Sequence, residues 1–106
     1  MTKVKVFADG RGLCGFEISG HCSSDGDDEI GKTVCAAVSS AAYMAANTVT
    51  EVMSLKADAA ATDGYMRLSI NQTPDNAQDI MNGLLFHLTE LEKQYPKNIK
   101  VTTTEV

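Results

Sequence analysis

Apolar and polar residues alternate with a period of two at the amino-terminal end of the chain. The apolar positions are Val4, Val6 and Ala8 and, across a glycine-containing turn, Cys14, Phe16 and Ile18. Such alternation is typical of strands that bury one face, and two runs joined by a short turn predict an antiparallel hairpin. We therefore expect Cys14 on the core face of the second strand, where a thiol packs as a small hydrophobic group.

A longer segment repeats its apolar residues at the spacing of an amphipathic helix. We expect this first helix to begin at Thr33, whose hydroxyl can cap it, and to run to about Met53. Its apolar stripe consists mostly of small residues: Val34, Val38, Ala41, Ala42, Ala45, Val49 and Val52. Small side chains predict close packing against the layer that the helix covers.

A second helix is predicted from Thr73–Pro74–Asp75, which combines a cap, a proline at the first helical position and an acid in the first turn. Pro96 ends it, and its buried stripe comprises Ala77, Ile80, Leu84, Leu88, Leu91 and Tyr95. His87 lies on the flank of this stripe, which predicts a partly buried structural histidine. Phe86 lies on the opposite side and is expected to face away from the core.

Alternation also predicts a second hairpin and a last strand. Their apolar positions are Ala57, Ala59 and Ala61, then Met66, Leu68 and Ile70, and finally Ile99 and Val101. Alanine has a low β-propensity, so the first of these strands depends on the pattern alone. The element order is ββαββαβ, which predicts one α+β domain over residues 1–106, a two-layer sandwich with two helices on one face of a mixed sheet.

Composition narrows the classes of function. With 106 residues, 43% hydrophobic residues and 22% charged residues, the chain has the usage of one globular domain. A net charge of −5 argues against a nucleic-acid backbone as ligand. No apolar run reaches the length of a membrane span, and the amino terminus does not resemble a secretory signal. Three cysteines without such a signal favour reduced thiols in the cytoplasm.

Two residues lie where a reactive group is expected. His21 follows the second predicted strand and begins a loop, rich in Ser, Asp and Gly, that runs to Lys32. Cys35 falls in the first turn of the predicted first helix, where unpaired N–H groups and the helix dipole favour a thiolate. Because a thiolate attacks carbonyl carbon, His21 and Cys35 suggest a Cys/His dyad.

Other interpretations stay open on the residues alone. Cys35 also suits close packing beside Ala36 and Ala37, and the residues by themselves favour this interpretation, since no spacing rule links the cysteine to the histidine. A metal site at His21, Cys22 and Cys35 lacks the paired spacing of zinc ligands. The chain has no nucleophile-elbow serine motif, no P-loop and no dinucleotide-binding glycine motif.

Two segments carry a resemblance to a known family. Ile18-Ser19-Gly20-His21, a loop, and then Val34-Cys35-Ala36-Ala37-Val38-Ser39 are similar to the motifs of the Prp family, bacterial cysteine proteases that process a ribosomal protein. Length, element order and the Asn47 region agree as well. The resemblance implies His21 as base and Cys35 as nucleophile. It also implies a large-subunit ribosomal protein with a short N-terminal extension as substrate, a cytoplasmic homodimer, and no cofactor.

The chain departs from the family pattern at two positions. Cys22 follows the histidine where the family usually has alanine, and Lys32 stands three residues before Cys35 where the family has aspartate. Lysine neither caps the helix nor orients the histidine, although it favours a thiolate nearby. The acidic residues Asp27, Asp28 and Glu29 are candidates to replace the missing carboxylate.

Further residues are expected to support the site. The loop is expected to close over the peptide, and its substrate-facing candidates are Cys22, Ser23, Ser24, Asp25, Gly26 and Gly31. Ser39 shares a helix face with Cys35 one turn away, so its hydroxyl either hydrogen-bonds into the site or back-bonds to the Cys35 carbonyl. The alternative function is a catalytically silent module of the same fold that binds the same ribosomal-protein tail.

Overall fold

The computed structural model describes residues 1–20, 29–71 and 75–106, which form five strands and two helices. In chain order they are β1 (Thr2–Asp9), β2 (Gly12–Ser19), α1 (Glu29–Asn47), β3 (Ala57–Thr62), β4 (Tyr65–Ile70), α2 (Gln78–Gln94) and β5 (Ile99–Glu105). A π-helical turn, Thr48–Val52, extends α1, and a 3-10 turn, Asp75–Ala77, precedes α2. The predicted order ββαββαβ is confirmed.

The strands form one mixed sheet in the order β3-β4-β2-β1-β5. Only the β1–β5 pair is parallel; the other three pairs are antiparallel. Cross-strand neighbours place the core residues in rows, for example Val6 beside Phe16 and Phe16 beside Leu68, all of them buried. The helices supply the other half of this core through Val34, Val38, Ala42, Ala45, Val49, Met81, Leu84 and Leu88. The fold is therefore the predicted α+β architecture with both helices on one face.

A bulge in the first hairpin corrects the expectation for Cys14. Phe7 pairs with Gly15 and Ala8 pairs with Leu13, so Cys14 is an extra residue in β2. A bulge shifts the alternation of side chains by one residue, so Leu13 occupies the core position and Cys14 is only half-buried. The Cys14 thiol donates to the Phe7 carbonyl at 3.5 Å. Burial and, secondarily, the nearby Asp9 carboxylate raise the pKa of this thiol.

The Gln78 side chain ties the start of α2 to this bulge. Its Oε1 accepts from the Leu13 N–H at 2.8 Å, and its Nε2 donates to the Leu13 carbonyl at 2.9 Å. Gly12 lies directly beneath with a φ of 128°, and a Cβ at this position would overlap the Gln78 amide. The second helix is thereby held against β2 beyond Gly15, where the pairing of β2 with β4 ends.

The helix boundaries differ from the predicted ones. The first helix begins at Glu29, and the Thr33 hydroxyl bonds to the Glu29 carbonyl at 2.8 Å inside it, so Thr33 is not the cap. An acid in the first turn suits the positive end of the helix dipole, which favours the earlier start. Thr73 and Pro74 lie outside the described residues.

Two side chains on α2 bear on the predicted faces of that helix. His87 is exposed, so the prediction of a partly buried structural histidine is wrong. Phe86 is 68% exposed, as expected from its position opposite the apolar stripe. Met81 is fully buried and occupies the centre of the stripe, a position that the sequence pattern did not assign.

Candidate active site

A pocket of about 300 Å³ lies between the first helix and the β3–β4 hairpin. Its lining residues are Ile18, Cys35, Ala36, Ser39, Tyr43, Thr62, Asp63, Gly64, Tyr65 and Met66. Four of these come from α1, and three of the four, Cys35, Ser39 and Tyr43, lie four residues apart and so share one face of the helix. The pocket therefore collects side chains that are distant in the sequence around the Cys35 thiol.

The position of Cys35 follows from the way that α1 packs. The helix buries Val34 and Val38 in the core, and Cys35 and Ser39 follow these residues by one position on the rim of the buried stripe. Both are half-buried, while Ala36 is exposed and too small to close the pocket. The alanine-rich composition of the helix thus leaves the thiol accessible from one side.

The β3–β4 turn forms the opposite wall. Asp63 and Gly64 make a two-residue connection between Thr62 and Tyr65, and Gly64 has a φ of 78°, a conformation that Asp-Gly hairpin turns require. This tight turn places Asp63 in the wall of the pocket. The Tyr65 hydroxyl donates to Glu17 at 3.0 Å, and this hydrogen bond is the main cause of the raised pKa of Tyr65.

The structure brings together some of the predicted site residues. Cys35 and Ser39 line one pocket, and the exposed Lys32 lies about one turn before Cys35 on the same helix. Gly31 is buried within α1, so its assignment to the substrate loop is wrong; the helix begins before it. The other loop candidates, together with the proposed base, lie outside the described residues: His21, Cys22, Ser23, Ser24, Asp25 and Gly26.

The predicted environment of Cys35 also needs correction. Because α1 begins at Glu29, Cys35 lies in the second turn and not in the first. Helical residues rise 1.5 Å each, so the start of α1 at Glu29 lies roughly 9 Å from Cys35 along the helix axis. The helix start therefore does not adjoin the thiol as the sequence predicted. Ser39 is the nearest hydroxyl on the same face of α1.

Tyr43 and Asp63 are among the residues of this pocket that sequence reasoning missed. The four-residue spacing of Cys35, Ser39 and Tyr43 was a usable signal for the first of them. No local signal pointed to Asp63, because only the sheet order brings the β3–β4 turn beside α1.

One protein-family model matches nearly the whole chain. The family model described as cysteine protease Prp matches residues 1–100. No curated protein matches the chain. Among the residues that the structure describes, no helix is long and apolar enough to cross a membrane.

Solved structures share the fold over the whole chain. The essential ribosomal processing protease Prp of S. aureus in complex with a substrate peptide is 23% identical, with a TM-score of 0.87, and the match covers 98% of this chain and 100% of that one. The complex of Prp from S. aureus with a covalently linked product peptide is 24% identical, with a TM-score of 0.81 and coverages of 98% and 100%. A Streptococcus mutans protein is 19% identical, with a TM-score of 0.82 and coverages of 100% and 96%.

Proposed function

This chain belongs to the family of the cysteine protease Prp, and on that premise we propose that it is a cysteine endopeptidase with Cys35 as nucleophile and His21 as general base. The observation that carries the proposal is the position of Cys35, half-buried and accessible in a pocket lined by Ser39, Tyr43 and the β3–β4 turn. A structural cysteine would be expected within the core stripe, and Cys35 lies on its rim.

The proposed reaction has two steps. His21 takes the thiol proton of Cys35, the sulfur attacks the scissile carbonyl, and the proton passes to the leaving amine. Water, deprotonated by His21, then attacks the thioester, and the released thiolate recovers the proton. Ser39 is the proposed side-chain donor to the developing oxyanion. Neither step uses a cofactor.

The proposed substrate is a short N-terminal extension of a large-subunit ribosomal protein, removed in the cytoplasm. Support comes from the family and from the S. aureus relative, which is described as a ribosomal processing protease and was solved with a substrate peptide. The acidic chain, with its net charge of −5, attracts basic ribosomal proteins. Lys32 is proposed to favour the Cys35 thiolate, and the segment from His21 to Gly26 is proposed to cover the bound peptide. One domain over residues 1–106 carries all these roles.

The direct test is cleavage of the host's own ribosomal protein. The purified chain is incubated with the full-length large-subunit protein that carries an N-terminal extension, and the products are weighed by mass spectrometry. We expect one cut that separates the extension from the mature protein. An intact substrate after many equivalents of enzyme would contradict the endopeptidase proposal and favour the silent binding module, which a pull-down of the uncut protein would then detect.

Thiol alkylation separates an enzyme from a silent module without any substrate. Cys35 is expected to react with iodoacetamide at least tenfold faster than Cys14, because His21 is proposed to take the Cys35 proton and the deprotonated sulfur is the nucleophilic form. Cys14 is the internal reference, since burial and, secondarily, the Asp9 carboxylate raise its pKa and favour the unreactive thiol. Peptide mapping assigns each modified cysteine, and equal rates at Cys14 and Cys35 would oppose an activated nucleophile.

The proposed homodimer is assigned to the outer face of the second helix. Phe86 is 68% exposed there, and Gly83 precedes it by one turn with open space above its backbone. A glycine on an outer face permits close approach of a second chain, at a cost of roughly 1 kcal/mol of helix stability relative to alanine.

We expect Phe86→Glu to shift the chain from dimer to monomer in sedimentation at micromolar concentration, because two carboxylates would be buried at a two-fold interface. Val52→Glu is the matched control, since it places the same charge on another exposed apolar helical residue, 78% exposed. A monomeric parent chain, or a dimeric Phe86→Glu variant, would contradict this interface.

A further inference from the structure

The Cys35 pocket continues into a groove between the first helix and the edge of the sheet. A second cavity of about 190 Å³ lies beside it, with Tyr43 and Met66 common to both linings. The helix side of this groove consists of Tyr43, Ala46, Asn47 and Thr50. Its sheet side consists of Ala59, Ala60 and Ala61 of β3 with Met66 and Arg67 of β4. β3 ends at Thr62, which lines the Cys35 pocket. An elongated molecule in this groove therefore reaches the thiol at one end.

The outer edge of β3 carries hydrogen-bonding groups that no strand within residues 1–20, 29–71 and 75–106 pairs with. The Asn71 N–H donates to the Lys56 carbonyl at 3.0 Å, which makes these two residues a hydrogen-bonded pair just before the strand. Bonded and non-bonded pairs alternate along an antiparallel ladder. Asp58, Ala60 and Thr62 are thus bonded to β4, and the N–H and C=O groups of Ala59 and Ala61 point away from the sheet.

The side chains of β3 explain why the groove is open. Ala59 pairs with the buried Leu68 and Ala61 pairs with the buried Met66, so their side chains lie on the helix-covered side of the sheet. Both alanines are nevertheless exposed, because α1 does not extend over this edge. Alanine is a poor strand former, but a larger residue at either position would fill the groove.

We propose that an extended segment of the peptide substrate adds to β3 as a further strand, with its side chains at alternate positions over Ala59 and Ala61 and against Tyr43. At about 3.4 Å per residue, β3 from Ala57 to Ala61 pairs with roughly four or five substrate residues. The α1 side of the groove carries apolar and uncharged polar side chains, and Arg67, which also lines the groove, extends its guanidinium over the Phe7 ring. The segment that the groove accepts is therefore predominantly apolar. The identity of the occupant rests on the proposed function.

The occupant is a substrate and not a second copy of this chain. Addition of a partner's strand to the β3 edge would bring that copy against the turn Thr62–Tyr65 and cover the mouth of the Cys35 pocket. An extended peptide occupies the same edge and ends at the thiol. Continuity between the groove and the pocket therefore decides between the two.

Hydrogen exchange tests strand addition at single amides. The probe is a synthetic peptide that spans the N-terminal extension of the host's ribosomal protein, bound to the full chain with Cys35→Ala so that it stays uncut. We expect the amides of Ala59 and Ala61 to gain at least tenfold protection on binding. Asp58 and Ala60 are internal controls on the same strand, because their amides are already bonded to β4. Equal changes at all four amides, or none at Ala59 and Ala61, would overturn the proposal.

A pair of leucine substitutions tests the groove independently. Ala61→Leu fills its floor and is expected to weaken peptide binding, followed by fluorescence anisotropy, at least tenfold. Asp58→Leu adds the same side chain to the opposite face of the strand and is expected to change binding less than threefold. Equal binding by both variants would refute the groove.

The outcomes keep this proposal separate from the proposed function. Peptide that binds with the expected pattern but is not cut by the parent chain would support the groove and refute the endopeptidase. If the parent chain cuts the peptide and Ala61→Leu does not weaken peptide binding, the endopeptidase is supported and the groove is refuted. A parent dimer that Ala61→Leu converts to monomer in sedimentation would show a second copy at this edge and overturn the proposal.

Discussion

Replacing Cys35 with alanine is expected to abolish peptide cleavage and to leave thermal stability nearly unchanged. Loss of a catalytic nucleophile removes the covalent pathway entirely, so we expect a decrease in kcat of roughly 10³-fold or more, down to the detection limit. The thiol is half-buried on the rim of the core, and a substitution there changes the free energy of unfolding by less than about 1 kcal/mol. Cleavage is followed by mass spectrometry and unfolding by calorimetry.

The other two cysteines provide matched controls for this experiment. Cys22→Ala is expected to retain activity, although it removes the thiol next to the proposed base. Cys14→Ala is also expected to retain activity, since Cys14 lies in the β1–β2 bulge and outside the pocket. An inactive Cys22→Ala variant with an active Cys35→Ala variant would contradict the dyad and reassign the nucleophile.

Sequence periodicity was sufficient for the architecture. The period-two runs located all five strands, including the alanine-rich β3, and the 3.6-residue repeats located both helices. Alternation works here because the sheet buries one face only, so each strand carries the same binary pattern. β3 has that pattern without a good β-propensity, and the pairing with β4 outweighs the propensity.

Local sequence signals did not predict two features of the fold. One is the bulge in β2, where one extra residue changes the strand register, and the other is the extra turn at the start of α1. A bulge has no distinct sequence pattern in Gly12-Leu13-Cys14-Gly15, and it exchanged the roles of Leu13 and Cys14. Thr33 is a good cap by residue type, but α1 begins one turn earlier, at Glu29, and Gly31 is buried within that added turn. Both outcomes depend on tertiary contacts that a window of neighbouring residues does not contain.

The candidate site was predicted only in part for a related reason. Cys35 and Ser39 share a helix face, which spacing alone indicates. Tyr43 and Asp63 join them because the β3–β4 hairpin lies beside α1, and that neighbourhood is a property of the strand order. The role of His21 rests on the family resemblance.

Gly15→Ala is expected to cause the largest loss of stability of any single methyl addition to the sheet. Gly15 lies in β2 between β1 and β4, and a Cβ built on it would overlap the Leu68 carbonyl oxygen of the neighbouring strand. The obstacle is backbone and not a flexible side chain, so the β2–β4 ladder must separate locally. Overpacking of this kind costs about 2–3 kcal/mol, which corresponds to a decrease in Tm of roughly 10–20 °C for a domain of this size.

Gly10→Ala is the control for this prediction, because a Cβ at Gly10 meets nothing within 4 Å. It is expected to leave the Tm within about 3 °C of the parent value, since surface substitutions change stability by about 0.5 kcal/mol or less. Thermal unfolding followed by circular dichroism compares the two variants. If the Gly15→Ala variant has the same Tm as the parent chain, β2 and β4 lie farther apart than their hydrogen-bonded pairing implies. Because β2 leads through Gly20 directly to His21, the same variant is expected to lose cleavage activity well below its Tm, whereas Gly10→Ala retains it.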